Sequence, residues 1–305
     1  MAPKIQRFDD RQHMQTSTYE LFRYKDAYSQ EVALHHHDFY EVYFCLFGKL
    51  QYNIESRSYL LTPGDVLLIS PMELHQPVIR GDSRSYERFV LWIDKRFLEG
   101  LALSGTDFSY CFDTTQPGHT NLLRPEGSQR QLLTFWMEQL QQETVSSDPY
   151  SEISSLSYLA QILVLLNRLA RQATQESPRQ SQDSVVYYIL SYINEHYNED
   201  LSLDYLANKF FTSKYHLSRE FQRLAGTSVH RYIIQKRLVM AKQMLSDGVP
   251  SSEVYQLCGF GDYSNFYRAF KAEYQISPKE FANQLRDAPR REDPIPRRLR
   301  ERIEK

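Results

Sequence analysis

Two sets of side chains in this 305-residue sequence have the types and spacing to do chemistry. The first is His35, His37 and Glu41, with His75 further along. In an uninterrupted strand residues 35, 37 and 41 share a parity and project to one face, while His36 points away. Three imidazoles and a carboxylate could bind a divalent metal such as Zn, Mn, Fe or Ni. They could equally hydrogen-bond the hydroxyls or carboxylate of a small molecule, or serve the fold alone.

The second set lies in a duplicated segment. Residues 213–221, SKYHLSREF, align without a gap on residues 262–270, DYSNFYRAF, at an offset of 49. Ser213 matches Asp262, Leu217 matches Phe266, Arg219 matches Arg268 and Phe221 matches Phe270. At about 100° per residue, Leu217, Phe221 and Leu224 share one helical face, with Tyr215, Arg219 and Gln222 opposite. In the second copy Phe266, Phe270 and Tyr274 share a face, with Ser264, Arg268 and Lys271 opposite. A central Arg can donate bidentately to guanine O6 and N7, Tyr, Ser or Asn can read other base edges, and flanking Lys or Arg can hold phosphates. Two such helices, each after a short helix and a tight turn, suit successive major grooves about 34 Å apart. The alternative is a helical bundle whose arginines are merely solvated.

The elements that must carry these sets are legible in outline. A possible first strand lies at Tyr19–Tyr24. From Val32, short apolar stretches alternate with turn residues: FYEVYFCLF before Gly48, LQYNI, SYLL before Pro63-Gly64-Asp65, VLLIS before Pro71, and RFVLWID. That pattern predicts a β barrel or sandwich ending near residue 115. Tyr40, Tyr43 and Phe47 are expected in its core or wall. Gly127-Ser128 opens a helix with Leu132, Leu133, Trp136, Met137 and Leu140 at helical spacing, and Asp148-Pro149 breaks it. A second helix runs from about Ser151 to Arg171. Its Leu156, Leu159, Leu163, Leu166 and Ala170 form a seam that fits a dimer or the protein's own barrel, and Ile162, Leu165 and Leu169 supply a second apolar face. Polar residues 173–183 read as a linker. Beyond them, Ser202, Ser213, Ser228, Ser251 or Ser252, Asp262 and Ser277-Pro278 mark successive helix starts. The Pro- and Arg-rich residues 287–305 read as a solvated tail.

Composition narrows the class. The longest apolar run, around Leu159–Leu166, is interrupted by Gln161 and falls short of a membrane span. No signal-peptide core precedes the domains, and the three cysteines form no CxxC pair. A cytoplasmic protein is the expectation. Residues 1–182 carry 17 basic against 22 acidic side chains, net −5, whereas residues 183–286 carry 12 against 11, net +1. Bulk attraction is therefore too weak to carry nucleic-acid binding, and aimed side chains must do it.

The stretches LSLDYLANKFFTSKYHLSREFQRLAGTSVHRYI and GFGDYSNFYRAFKAEYQISPKEF resemble the DNA-binding domain of AraC/XylS-type transcriptional regulators. The resemblance implies a seven-helix domain with two helix-turn-helix units joined by one long helix. By position it carries base reading onto Tyr215, Ser218 and Arg219, and onto Ser264, Asn265 and Arg268. The run His-x-His, three residues, Glu, six residues and Gly48, with Pro63-Gly64-Asp65 and His75, resembles the cupin motif. It implies a cupin-like sensor over roughly residues 31–95, with His35, His37, Glu41 and His75 lining an effector pocket.

The expectation is an α+β chain of two domains. Residues 1–118 form a cupin-like barrel with an amino-terminal arm, 119–172 a helical dimerisation or coupling region, and 184–286 a double helix-turn-helix domain. The expected function is a DNA-binding regulator, not an enzyme, controlled by a small molecule of the sugar class by family analogy. The expected partners are double-stranded DNA, the effector, a second copy of the chain, and RNA polymerase if it activates. No cofactor is required, though a divalent metal is compatible with the histidines. The rival readings are a cupin-type metalloenzyme fused to a DNA-binding module, and a constitutive regulator whose barrel only dimerises.

Overall fold

Along Tyr86–Ile93 successive side chains enter two different cores, as strand geometry requires. Tyr86, Val90 and Trp92 pack with Tyr43, Tyr52, Tyr59 and Leu61, whereas Phe89, Leu91 and Ile93 pack with helical leucines. A computed structural model describes residues 13–26, 32–78, 86–101, 106–176 and 184–287. The expected tail after residue 287, the arm before residue 13 and the linker after residue 176 lie outside the described residues.

The first compact unit contains eight strands among the described residues. These are β1 (Tyr19–Asp26), β2 (Tyr40–Phe47), β3 (Leu50–Ile54), β4 (Arg57–Leu61), β5 (Val66–Ile69), β6 (His75–Val78), β7 (Tyr86–Ile93) and β8 (Leu122–Leu123). They make a five-stranded sheet in the order β1-β7-β2-β5-β8 and a three-stranded sheet β4-β3-β6. Antiparallel registers such as Glu41 opposite Trp92 and Ile54 opposite His75 place the polar residues. The aromatic core lies between the sheets. The other face of the larger sheet is covered by α2 (Gly127–Glu143) and α3 (Ser151–Glu176), after the short α1 (Lys95–Gly100).

Four expectations change here. The strands do not end near 115, because β8 adds Leu122 and Leu123 to the edge of β5, beyond the boundary drawn at 118. Phe47 is 56% exposed and is not wall, whereas Tyr40 and Tyr43 are buried. The second helix continues through Glu176, into the stretch expected to be linker. Its Leu159, Leu163, Leu166 and Ala170 are buried in this unit's own core together with Ile162 and Leu169, so that stripe is already occupied. By length and composition α3 is apolar enough to cross a membrane, with a mean hydropathy of 1.4. Burial of those leucines against the sheet marks it as a core helix.

The second unit is helical: α4 (Val185–His196), α5 (Leu203–Lys209), α6 (Lys214–Ala225), α7 (Val229–Ser246), α8 (Ser251–Leu257), α9 (Tyr263–Tyr274) and α10 (Pro278–Asp287). Side-chain oxygens of Ser202, Ser213, Ser228 and Asp262 each accept a backbone N–H of the first turn of their helices. Those donors would otherwise be unsatisfied, which is why these residues start helices. For α8 the cap position falls on Pro250, with Ser251 already helical and no side-chain cap. Leu238, Ala241 and Leu245 of α7 pack with Val254, Phe260, Phe266 and Phe270, so α7 is a strut shared by both repeats.

Candidate functional site

Helix α6 buries Leu217, Phe221 and Leu224 and exposes Tyr215, Ser218, Arg219 and Gln222. Helix α9 buries Phe266 and Phe270, half-buries Tyr274, and exposes Ser264, Asn265, Arg268 and Lys271. Every predicted base-reading residue therefore lies on the solvent face of its helix. The apolar anchors are firm: Phe221 packs edge-on against Tyr232 of α7 at 5.7 Å, and Phe270 meets Phe266 at 5.6 Å and Tyr274 at 4.6 Å. Each polar face is thus held by aromatic packing behind it.

The two faces are poised differently. In α9, Asp262 Oδ1 accepts the Asn265 N–H at 2.7 Å, Asp262 Oδ2 accepts from the Asn265 amide, and Asn265 Oδ1 accepts from Arg268 Nη2 at 2.6 Å. A helix cap thereby aims the arginine. In α6 the acceptor is Glu220, which lies 2.7 Å from Arg223 Nη2 but 3.7 Å from Arg219 Nη2. Hydrogen bonding by Arg223, with the nearby cations, holds the Glu220 carboxyl below its ordinary range. Arg219 is 64% exposed and only loosely tethered. The i, i+3 spacing of 262, 265 and 268 could have signalled the α9 chain.

In the first unit, His37, Glu41 and His75 come together, buried, with one ligand atom from each within 4.8 Å of the others. They are not presented by one uninterrupted strand. His35 makes an isolated bridge to His75, with N···O distances of 3.1 and 2.9 Å, and β2 begins only at Tyr40. The His35 ring sits 4.2 Å from that of His75 and 6.5 Å from that of His37, at the edge of the trio. His37 stacks on Phe39 at 3.9 Å. Glu41 Oε2 accepts from Trp92 Nε1 at 2.9 Å and lies 3.2 Å from His37 Nε2. Sequence reasoning missed Trp92, which carries no local signal 51 residues away.

Backbone carbonyls set the histidine tautomers. Nδ1 of His35, His37 and His75 faces the carbonyls of Ala33, Phe39 and Glu73 at 2.8, 2.9 and 2.8 Å. Burial, with its histidine neighbours, drives the His75 pKa well below the ordinary value, and burial also lowers that of His35. Both rings are then neutral with the proton on Nδ1, leaving Nε2 as an acceptor. His75 Nε2 is buried and has no hydrogen-bond partner among the described residues. Burial pushes the Glu41 carboxyl up, but the hydrogen bond and charge of His37, with the Trp92 donor, outweigh it and hold the net value low. The site is a carboxylate with the acceptor nitrogens of His75 and His35 beside it, whereas both nitrogens of His37 face oxygen acceptors, the Phe39 carbonyl and the Glu41 carboxylate. Those groups also fit a divalent cation, since a carbonyl on each Nδ1 is the outer shell that metal-bound imidazoles use.

The two units match two known domain types in order. Residues 19–163 match the AraC-like ligand binding domain, and residues 206–284 match a helix-turn-helix domain. The chain belongs to the AraC type of transcriptional regulators. HTH-type transcriptional activator RhaS of Enterobacter sp. (strain 638) is 26% identical over 262 residues, covering 83% of this chain and 88% of the relative. RhaS of Yersinia pestis (strain Pestoides F) is 27% identical over 257 residues, covering 82% and 89%. Probable transcriptional regulator LumQ of Photobacterium leiognathi is 25% identical over 248 residues, covering 81% and 90%. Among solved structures, unsaturated fatty acid bound wild-type ToxT from Vibrio cholerae strain SCE256 matches 88% of this chain and 96% of its own, at 15% identity and a TM-score of 0.39. This AraC-type chain is a sequence-specific DNA-binding regulator with an amino-terminal ligand-binding domain.

Proposed function

We propose that the regulator responds to a neutral, hydroxyl-rich small molecule of the sugar class, which enters between the two sheets and donates a hydrogen bond to His75 Nε2. That buried, unpartnered acceptor is the observation that carries the proposal. An unsatisfied buried acceptor is costly, so an occupant that donates to it gains more than the same contact in water would give. His35 and Glu41 frame the same position with acceptors, and His37, turned to the Glu41 carboxylate, holds that group in place. A carboxylate-bearing ligand would bring acceptors to acceptors and meet the buried charge of Glu41, so it is disfavoured.

Base reading is assigned to Tyr215, Ser218, Arg219 and Gln222 of α6 and to Ser264, Asn265, Arg268 and Lys271 of α9, supported by their exposure and register. Activation through contact with RNA polymerase is supported by relatives that carry the name activator. A homodimer is supported by the apolar face left on α2, where Leu132 is 44% and Phe135 49% exposed and Phe135 meets Tyr158 of α3 edge-on. The soluble, cytoplasmic setting follows from the regulator's task.

The deciding experiment is a thermal-shift screen of the full chain against neutral sugars, uronic acids and aromatic acids, repeated with His75→Phe. A neutral sugar at about 100 times its Kd stabilises by about 2.7 kcal/mol. The shift should vanish in His75→Phe, which keeps the ring and loses Nε2. A response confined to acids refutes the proposal. The second reading, a divalent ion on His37, Glu41 and His75, has the close grouping of those three ligands in its favour. Stoichiometric metal in protein purified without an affinity tag would select it.

A further inference from the structure

Helices α5 and α8 end in the same motif, but with different residues at its critical position. After α8, Gly259 N–H donates to Gln256 O at 2.9 Å and Phe260 N–H to Tyr255 O at 2.9 Å. After α5, Phe211 N–H donates to Asn208 O at 3.3 Å and Thr212 N–H to Ala207 O at 2.9 Å. Both are Schellman endings, which put the residue after the cap in the left-handed region and favour glycine there. Gly259 has φ +79°, and Phe211 sits in the same region at φ +51°. A bulky side chain at positive φ is strained. Phe211 is also 98% exposed, so no packing within the described residues compensates the strain.

Its place indicates what does. Phe211 stands two residues before Ser213, the cap of α6, and four before Tyr215, which is 76% exposed on the reading face. Lys209 and Lys214 flank it in sequence, the first with its ammonium over the Tyr192 ring and the second paired with Asp204. An exposed apolar ring just ahead of a base-reading helix matches the edge of a duplex, where apolar deoxyribose and thymine methyl groups are presented. We infer that Phe211 packs on the sugar and base edge beside the first half-site and orients α6 in the groove. The inference rests on α6 being a reading helix.

The test measures stability and binding separately, using the full chain and the duplex that the wild-type protein recovers from a random-sequence pool. Phe211→Gly should melt about 4 °C higher, because glycine relieves the left-handed strain. It should also bind that duplex about tenfold more weakly. Because no charge is removed, the salt dependence of binding should be unchanged. Phe211→Asn, which tolerates the same φ without a ring, should lose the same affinity, and Phe211→Tyr should retain it. Wild-type binding by both the Gly and Asn variants overturns the inference, as does intact binding with reduced transcription in a purified system, which would place the ring against polymerase. Arg219→Ala separates the two readings: if it weakens binding while Phe211→Gly does not, only this inference falls. If neither variant changes binding, the assignment of α6 falls as well.

Discussion

Replacing Arg268 with Ala tests the DNA interface where its geometry is most definite. The guanidinium donates from Nη2 to Asn265 Oδ1 at 2.6 Å, and both residues are exposed. Losing such a bond leaves folding stability within about 0.5 kcal/mol of wild type. The melting temperature of the variant should therefore match that of the parent. Binding should not. A bidentate arginine-to-guanine contact is worth about 1–3 kcal/mol, and each 1.4 kcal/mol is about tenfold, so affinity for the selected duplex should fall roughly 5- to 150-fold.

Fluorescence anisotropy at several salt concentrations, with the selected duplex and a scrambled one, separates the possible causes. Loss of a base contact collapses the ratio of the two affinities and mainly lowers binding to the selected sequence. Loss of a phosphate contact weakens both duplexes alike and reduces the salt slope by about one counterion. An unchanged selected-to-scrambled ratio would refute the reading of α9. Asp262→Ala is the companion: it removes the cap and frees Asn265, so it should cost about 0.5–2 kcal/mol of stability as well as discrimination.

Four further outcomes follow from the same structure. At Gly259 a Cβ would come within 2.6 Å of the Asn198 carbonyl oxygen at φ +79°, whereas at Gly248 it would meet open space. Gly259→Ala should cost about 2–4 kcal/mol and Gly248→Ala about 1–2 in urea unfolding. Leu163→Ala should cost about 2–5 kcal/mol, because that side chain is fully buried in the first unit. Phe135→Glu should leave melting unchanged but shift the sedimentation coefficient towards that of a monomer. Acid should destabilise the first unit selectively. His75 and His35 titrate below their ordinary value when folded, so between that value and the folded one the unfolded chain binds more protons. Their contribution is complete above about pH 6.5 and is lost as pH falls, by at most about 1.4 kcal/mol per pH unit for each histidine. The low-lying Glu41 carboxyl acts in the same direction at still lower pH. His75→Phe should flatten the slope near pH 6.

Much of the second unit was legible because its signals are local. A Ser or Asp oxygen satisfies backbone donors two or three residues away, so Ser202, Ser213, Ser228 and Asp262 announce their helices within a few positions. The apolar faces of α6 and α9 follow from periodicity alone. The first unit needed information that periodicity lacks. The stripe Leu159, Leu163, Leu166 and Ala170 identifies a buried face but not what buries it, and a sheet fills it as well as a second chain would. Two residues are too few to show alternation, which is why β8 could not be read. At the His37, Glu41 and His75 cluster the histidines and Glu41 were visible by type. Their tautomers depend on the carbonyls of Ala33, Phe39 and Glu73, and the orientation of Glu41 depends on Trp92 across the sheet.

On the proposed assignment of base-reading residues, the two repeats, similar in sequence, divide the work of recognition. In α9 the cap Asp262 fixes Asn265, and Asn265 fixes Arg268, so the reading group is ordered before DNA arrives and less freedom is lost on binding. In α6 the matching cap is a serine, the position that matches Asn265 is His216, and the carboxylate near Arg219 is a distant one shared with Arg223. That side chain must order when it binds. The strained Phe211 lies on the same, less ordered repeat, whereas the second repeat uses an unstrained glycine. Helix α9 is then the pre-set anchor and α6 the adjustable reader. Substitutions in α9 should chiefly change how tightly the chain holds a site, and those in α6 which sequences it tolerates.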